Sequence, residues 1–231
     1  MSRSRSPEKL RSIASAATEL FGQLGYRRTQ MADVARSAGL STGAIYTYVE
    51  SKEALFHLVF AAGFGQMAEG LPALPLKTPD PTETLQLIRK GLRELGATPL
   101  MRAALTVDEA QDIRGELTAI IVERCQVVER LWPILAVIER SAPDLPDLDH
   151  MYYQRGRKGH IHQLEQYLQL RATSGQLRAT EDVGVAAQMM TESIAWFSWH
   201  RLEDRDAARF DPDRARTTLI QFICNALIEP P

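Results

Sequence analysis

The chain has 231 residues, 45% of them hydrophobic, enough for a sizeable core; no run approaches the roughly 18 uninterrupted apolar residues that a membrane span requires. Its net charge of −2 hides a split, because residues 1–60 carry +3 and the remainder −5, so a polyanionic partner is expected at the N-terminal end only. The two cysteines, Cys125 and Cys224, each sit among apolar residues and argue against a disulfide framework, and the polar start argues against a signal segment, so a soluble, cytoplasmic protein is expected.

Apolar and polar residues nowhere alternate long enough to read as a strand, whereas a period near 3.6 recurs from end to end, and the chain reads as all-α. Ser6 and Pro7 open a first helix whose stripe runs Leu10, Ile13, Ala14, Ala17, Leu20, Phe21 and Leu24, and Gly25 ends it. Thr29 is placed to cap a short second helix with Val34, Ala35 and Ala38 inward. Gly39 breaks that helix, Ser41 caps a third containing Ile45 and Val49, and Ser51 caps a fourth. Three helices in so short a stretch, with a glycine turn between the second and third, are the build of a helix-turn-helix.

The prolines at 72, 75, 79 and 81 predict an extended connection, and Asp80-Pro81 opens another helix. Further helical patterns cover Leu100 to Ile113, Leu117 to Ile138 with a kink expected at Pro133, and about Pro146 to Ala172. Two last helices are expected from about Glu181 to Leu202 and from Pro212 to Ile228.

From Ala16 to Phe56 the sequence resembles the DNA-binding domain of the tetracycline-repressor (TetR) family of bacterial regulators. The residues that carry the likeness are Phe21, Gly25-Tyr26, Thr29, Val34-Ala35, Ala38-Gly39, Ser41, Gly43, Tyr46, Tyr48 and Ser51-Lys52-Glu53; Val49 departs from the family's usual Phe at an inward position. The resemblance implies DNA contacts at Thr42, Gly43, Tyr46, Thr47 and Tyr48 and phosphate contacts at Thr29 and Lys52. It further implies a larger helical domain that holds a ligand cavity and forms a dimer through the last two large helices.

Helix geometry reaches a similar reading face. If Ile45 points inward, then at about 100° per residue Val49 also points in while Gly43 and Thr47 point out, with Ala44 and Tyr46 flanking them. That outer face is small and uncharged, so Gly43 and Ala44 permit close approach to a groove about 12 Å wide, where Thr47 can meet a base edge. Tyr48 lies about 60° from Ile45 and suits core packing and DNA contact equally. Thr29, Ser41 and Ser51 are also explained as helix caps. Lys52 at a helix start opposes the dipole, which favours a nearby phosphate. Arg3 and Arg5 fit a backbone or minor-groove arm or simply a solvated terminus.

The expected organisation is therefore a helix-turn-helix domain over residues 1–52 and a regulatory ligand-binding and dimerisation domain over 53–231. No glycine-rich phosphate loop, GxSxG elbow or HExxH pair occurs, and His160 and His162, about 200° apart on a helix, cannot share a metal; no catalytic residue, metal or cofactor is expected. The segment from Val183 to Trp199 is apolar nearly all round, which suits a partner surface. Phe64, Met101, Leu105, Trp132, Tyr152, Tyr153, Met190 and Trp196 are candidates to line a cavity for a small, mostly apolar effector, although aromatic and Met stripes at helical spacing are more often plain core. The expected partners are double-stranded operator DNA, that effector and a second copy of the chain. The expected function is a ligand-released repressor. A regulator of the same fold without a small-molecule switch, acting as an activator or through a protein partner, is the alternative.

Overall fold

A computed structural model describes residues 7–68, 73–207 and 209–229. Ser6 as a cap, the Arg3 and Arg5 arm and Pro72 lie outside the described residues. Every regular element among the described residues is helical: α1 Pro7–Arg28, α2 Met31–Ser37, α3 Thr42–Ile45, α4 Lys52–Gly63, α5 Pro81–Leu95, α6 Pro99–Ala104, α7 Ile113–Ser141, α8 Pro146–Asp149, α9 Lys158–Thr173, α10 Val183–Ser198 and α11 Pro212–Leu227. None of these is long and apolar enough to cross a membrane.

The chain divides into two compact units: residues 1–95 with 131–152, and residues 96–130 with 153–231. This division does not fall at residue 52. In the first unit α1 packs on α2 and α4, α2 on α3, and α4 on α5. Its core joins Leu10, Phe21, Ile45, Leu55 and Phe60 to Ile134, Val137 and Ile138 from the second half of α7. An aromatic row ties α1 to α4, with Phe56 edge-on to both Phe21 (5.1 Å) and Tyr26 (5.0 Å) and Phe60 edge-on to Phe56 (5.0 Å).

Gly25 interrupts α1 at φ 80°, ψ 173°, a region closed to residues with a side chain, and one further turn follows to Arg28. A Cβ there would stand 2.3 Å from the Arg140 carbonyl oxygen, so the glycine also admits the end of α7. Gly63 serves close approach as well, since a Cβ would meet the Ile134 side chain at 2.3 Å.

In the second unit α10 packs on α9 and α11, and α6 on α9. The helix expected over Leu100 to Ile113 is only α6, because the following loop is held in another shape by Arg171. That fully buried guanidinium binds Glu116 (2.8 and 3.2 Å) and the carbonyls of Ala104, Val107 and Asp108 (2.8 to 2.9 Å). The stretch expected as one helix from Pro146 is α8, a π-helical segment His150–Arg157 and then α9. α7 runs through Pro133 as a single helix.

Candidate nucleic-acid interface

The helix-turn-helix is set by short-range chemistry. Gly39 turns the chain at φ 67°. Ser41 then accepts the Ala44 amide proton (3.3 Å) and Ser51 that of Ala54 (3.1 Å), capping α3 and α4 as their sequence positions predict. With Ile45 and Val49 buried, Thr42, Gly43, Tyr46 and Thr47 are exposed and Ala44 half-buried on the opposite side. Nothing lies within 4 Å of a Cβ built on Gly43, and Tyr46 is 46% exposed. Thr47 is exposed and its hydroxyl donates to the Ala44 carbonyl (2.8 Å), which steadies the side chain. The five residues from Thr42 to Thr47 other than Ile45 thus form one small, uncharged surface.

Three other expected contacts are placed differently. Thr29 is 1% exposed, and its hydroxyl donates to the Gly25 (2.8 Å) and Leu20 (3.2 Å) carbonyls; Gln30 stands at the N-cap position of α2 instead. Tyr48 is buried in the first unit's core. Lys52 turns toward the end of α1, donating to the Arg27 carbonyl (3.2 Å) with its ammonium 4.6 Å from the centre of the Tyr26 ring. Burial lowers the Lys52 pKa, partly offset by Glu53 and Asp144. The carbonyl end of α1 therefore supplies the compensation that its place at the start of α4 requires. Burial, with the Glu53 carboxylate accepting from its hydroxyl at 2.9 Å, keeps Tyr26 protonated well above the usual range. Arg27, Arg28 and Arg36 are exposed on the same unit, and nothing local in the sequence distinguishes them from solvated charges.

The second unit holds a small cavity of about 30 Å³, lined by Met101 of α6, Ile120, Ile121, Glu123 and Arg124 of α7, His160, Gln163 and Leu164 of α9, and Met190 and Ile194 of α10, among others. Met101 and Met190 are the candidate ligand residues it brings together. Leu105, Tyr153 and Trp196 belong to the same unit without lining the cavity, and Phe64, Trp132 and Tyr152 belong to the first unit. Phe64 stacks near Phe60 (6.1 Å) and covers Gly91; Tyr152 donates to Glu139 (3.3 Å). Burial, reinforced by Arg124, pushes His160 down to about 4, so it meets the cavity as a neutral hydrogen-bonding ring. The described residues contain no cluster of three His, Cys, Asp or Glu that could hold a metal.

On α10 and α11 a different kind of surface appears. Val185, Met189 (64% exposed) and Phe222 (75% exposed) are large apolar side chains facing out, although neighbours Ala187, Met190, Leu219 and Ile223 are buried.

Three short-linked helices with a small, uncharged face exposed on the third are the build of a helix-turn-helix. Residues 13–59 match the sequence model of the tetR family of bacterial regulatory proteins, and residues 124–218 that of the AefR-like transcriptional repressor C-terminal domain. The chain belongs to the tetR family. It is 40% identical over 57 residues to the uncharacterized HTH-type transcriptional regulator YhgD of Bacillus subtilis, covering 25% of this chain and 30% of that protein. It is 27% identical over 139 residues to the HTH-type transcriptional repressor BepR of Brucella suis, covering 60% and 61%. The chain thus matches less than two thirds of the length of either relative. Its fold is similar to that of AibR, solved in complex with isovaleryl coenzyme A and operator DNA, at 16% identity and a TM-score of 0.50 over 93% of this chain and 97% of the other.

Proposed function

We propose that the chain is a repressor that grips a near-palindromic operator as a homodimer and releases it when a small, mostly apolar ligand enters the second unit. The observation that carries the DNA reading is the face of Thr42, Gly43, Tyr46 and Thr47, exposed, with half-buried Ala44 between them, uncharged and unobstructed at Gly43. In this reading those residues meet base edges, Lys52 swings from the Arg27 carbonyl to a phosphate, and Thr29 and Tyr48 support the face from beneath. The dimer reading rests on Val185, Met189 and Phe222, whose exposure a second copy would end; a two-fold axis is also what a palindrome demands. Residence in the cytoplasm follows from the same reading.

The test is binding of the full chain to duplexes from its own promoter region at several salt concentrations. Tyr46→Ala or Thr47→Ala should weaken the specific complex about 5- to 100-fold. Lys52→Ala should weaken all sequences alike and lower the salt slope by about one. Specific binding that survives both reading-face changes sinks the assignment.

The cavity also supports a second reading. At about 30 Å³ it has room for roughly one water, so an effector requires the flexible Met101 and Met190 to move aside. A regulator controlled by a protein partner requires no such opening. An apolar compound that lowers operator affinity in wild-type protein but not in a folded, DNA-binding Met190→Trp variant supports the ligand switch. No effect from any inducer active in cells supports the partner-controlled regulator.

A further inference from the structure

The reading element is held from outside the helix-turn-helix. α3 has four residues, too few for independent stability, and the residues that follow it need an external support. Its beginning is fixed by the Ser41 cap and by α2. Its end meets a segment about thirty residues further along the chain, where Leu76 forms a parallel bridge with Val49. The Leu76 amide donates to the Tyr48 carbonyl (2.8 Å), and the Glu50 amide donates to the Leu76 carbonyl (2.9 Å). Side chains reinforce the pairing. Lys77 donates to the Glu50 carboxylate, the Thr78 amide donates to its other oxygen (3.3 Å), and the Thr78 hydroxyl donates to Ser51 Oγ (2.8 Å). Leu74 and Leu76 pack against the first unit's core, which anchors the segment itself.

We propose that Leu74–Thr78 is a clamp that positions Tyr46 and Thr47 for base reading, with the Leu76 main chain and the Lys77–Glu50 pair as its positioning groups. The clamped carbonyl belongs to the residue next to Thr47, so any shift of the chain there moves the reading face with it. Base readout requires paired donors and acceptors to meet within hydrogen-bond distance, whereas phosphate contacts tolerate more slack. Loss of the clamp therefore costs specificity before it costs general affinity. Lys77, 80% exposed, also neutralises a carboxylate that would otherwise stand unpaired beside the reading element. The ammonium, followed by the Thr78 amide, holds the Glu50 carboxyl below its usual range, in keeping with a carboxylate that stays charged and bound.

This inference rests on the proposed DNA reading, and the experiment separates the two. The full wild-type chain is used to select duplexes from a random library, and a selected duplex and an unrelated one are then titrated with each variant at a temperature where circular dichroism shows it fully helical. Leu76→Pro removes the amide that donates to Tyr48, and Lys77→Ala cuts the ion pair while leaving the main chain intact. Leu76→Pro should lower affinity for the selected duplex at least about tenfold while leaving the unrelated duplex within about twofold. Lys77→Ala should produce a smaller loss of the same kind, with an unchanged salt slope and rescue by Lys77→Arg. In wild-type protein the Leu76 and Glu50 amides should be protected from hydrogen exchange. Should the unfolding of Leu76→Pro prevent its use, Lys77→Ala and the exchange data decide. A folded Leu76→Pro variant that discriminates like wild type overturns the clamp, as does fast exchange of both amides. Equal loss on both duplexes in Lys77→Ala, with a salt slope lower by about one, makes Lys77 a phosphate ligand instead and overturns its positioning role. If wild-type protein enriches no duplex, the DNA reading itself falls, and this inference with it.

Discussion

Arg171→Met tests what shapes the wall of the second unit's cavity. The guanidinium is fully buried and makes five hydrogen bonds, two to Glu116 and three to the carbonyls of Ala104, Val107 and Asp108. Removing one partner of a buried ion pair costs about 3–5 kcal/mol, mostly because the other charge is stranded. Glu116 keeps 21% of its side chain in contact with solvent, so the low end, about 3 kcal/mol, applies. Val107 and Asp108 lie in an exposed loop whose carbonyls can return to water, whereas the bond to Ala104 is buried and its loss adds about 1–2 kcal/mol. A total near 4 kcal/mol is a large part of the 5–15 kcal/mol typical of a folded domain. Urea unfolding followed by circular dichroism measures it. Glu116→Leu in the same chain should return part of the loss by removing the stranded carboxylate, and Arg171→Lys should fall in between, because an ammonium has three donors for five positions. Hydrogen exchange should rise first in α6 and the loop after it, which carry Met101 into the cavity. Arg171→Met within about 1 kcal/mol of wild type, or a double variant no better than the single, would refute the reasoning.

Gly25→Ala places a side chain at φ 80°, ψ 173° and 2.3 Å from the Arg140 carbonyl oxygen, so urea unfolding should show a loss of at least about 2 kcal/mol; an unchanged midpoint would contradict it. Phe222→Lys should leave the thermal midpoint of a dilute monomer almost unchanged, since the ring is 75% exposed, yet should move the sedimenting mass from dimer to monomer; a wild-type chain that sediments as monomer at micromolar concentration removes the proposed interface. His160 is held at about 4 in the folded chain, below its ordinary 6.5, so the unfolded chain takes up its proton first. Stability present at neutral pH should therefore decline as pH falls from 6.5 toward about 4, and His160→Gln should flatten that decline; equal slopes in urea unfolding at pH 7, 6 and 5 would show that another group is responsible.

What could be read from the sequence was what neighbours decide. Ser41 and Ser51 cap because a hydroxyl at that offset reaches the amide three residues on, and Ile45 and Val49 face inward because they are one helical turn apart. Thr29 shows the limit of the same logic. It has the right residue type for a cap, but the extra turn after Gly25 brings its hydroxyl back onto the carbonyls of Leu20 and Gly25. The loop after α6 looked helical because its apolar spacing is helical, and the deciding partner, Arg171, lies more than sixty residues away. Of the eight residues considered for the cavity, Met101 and Met190 come together while the rest fill other places, since type and amphipathic phase cannot say which helices will meet.

The division of the chain follows from the same distinction. A segment ending at residue 52 carries the exposed face of α3 but too little apolar surface to bury on its own, and domains of that size are marginal. α4 brings a row of buried residues, Leu55, Phe56, Leu58, Val59 and Phe60, that covers α1 on one side and needs cover on the other. That cover comes from Ile134, Val137 and Ile138 of α7, admitted by the missing side chains at Gly25 and Gly63 and locked where the Arg27 amide donates to Asp144 (2.9 Å). The head is thus completed by sequence that follows it by more than seventy residues, and those positions announce themselves only as ordinary helical core. Gly25, a helix stop in the sequence, and Gly63 are, in the folded chain, the places where the later helix enters. The small, uncharged face of α3 contributes little to its own stability, and the chain around it is held by α4, by the second half of α7 and by the segment around Leu76.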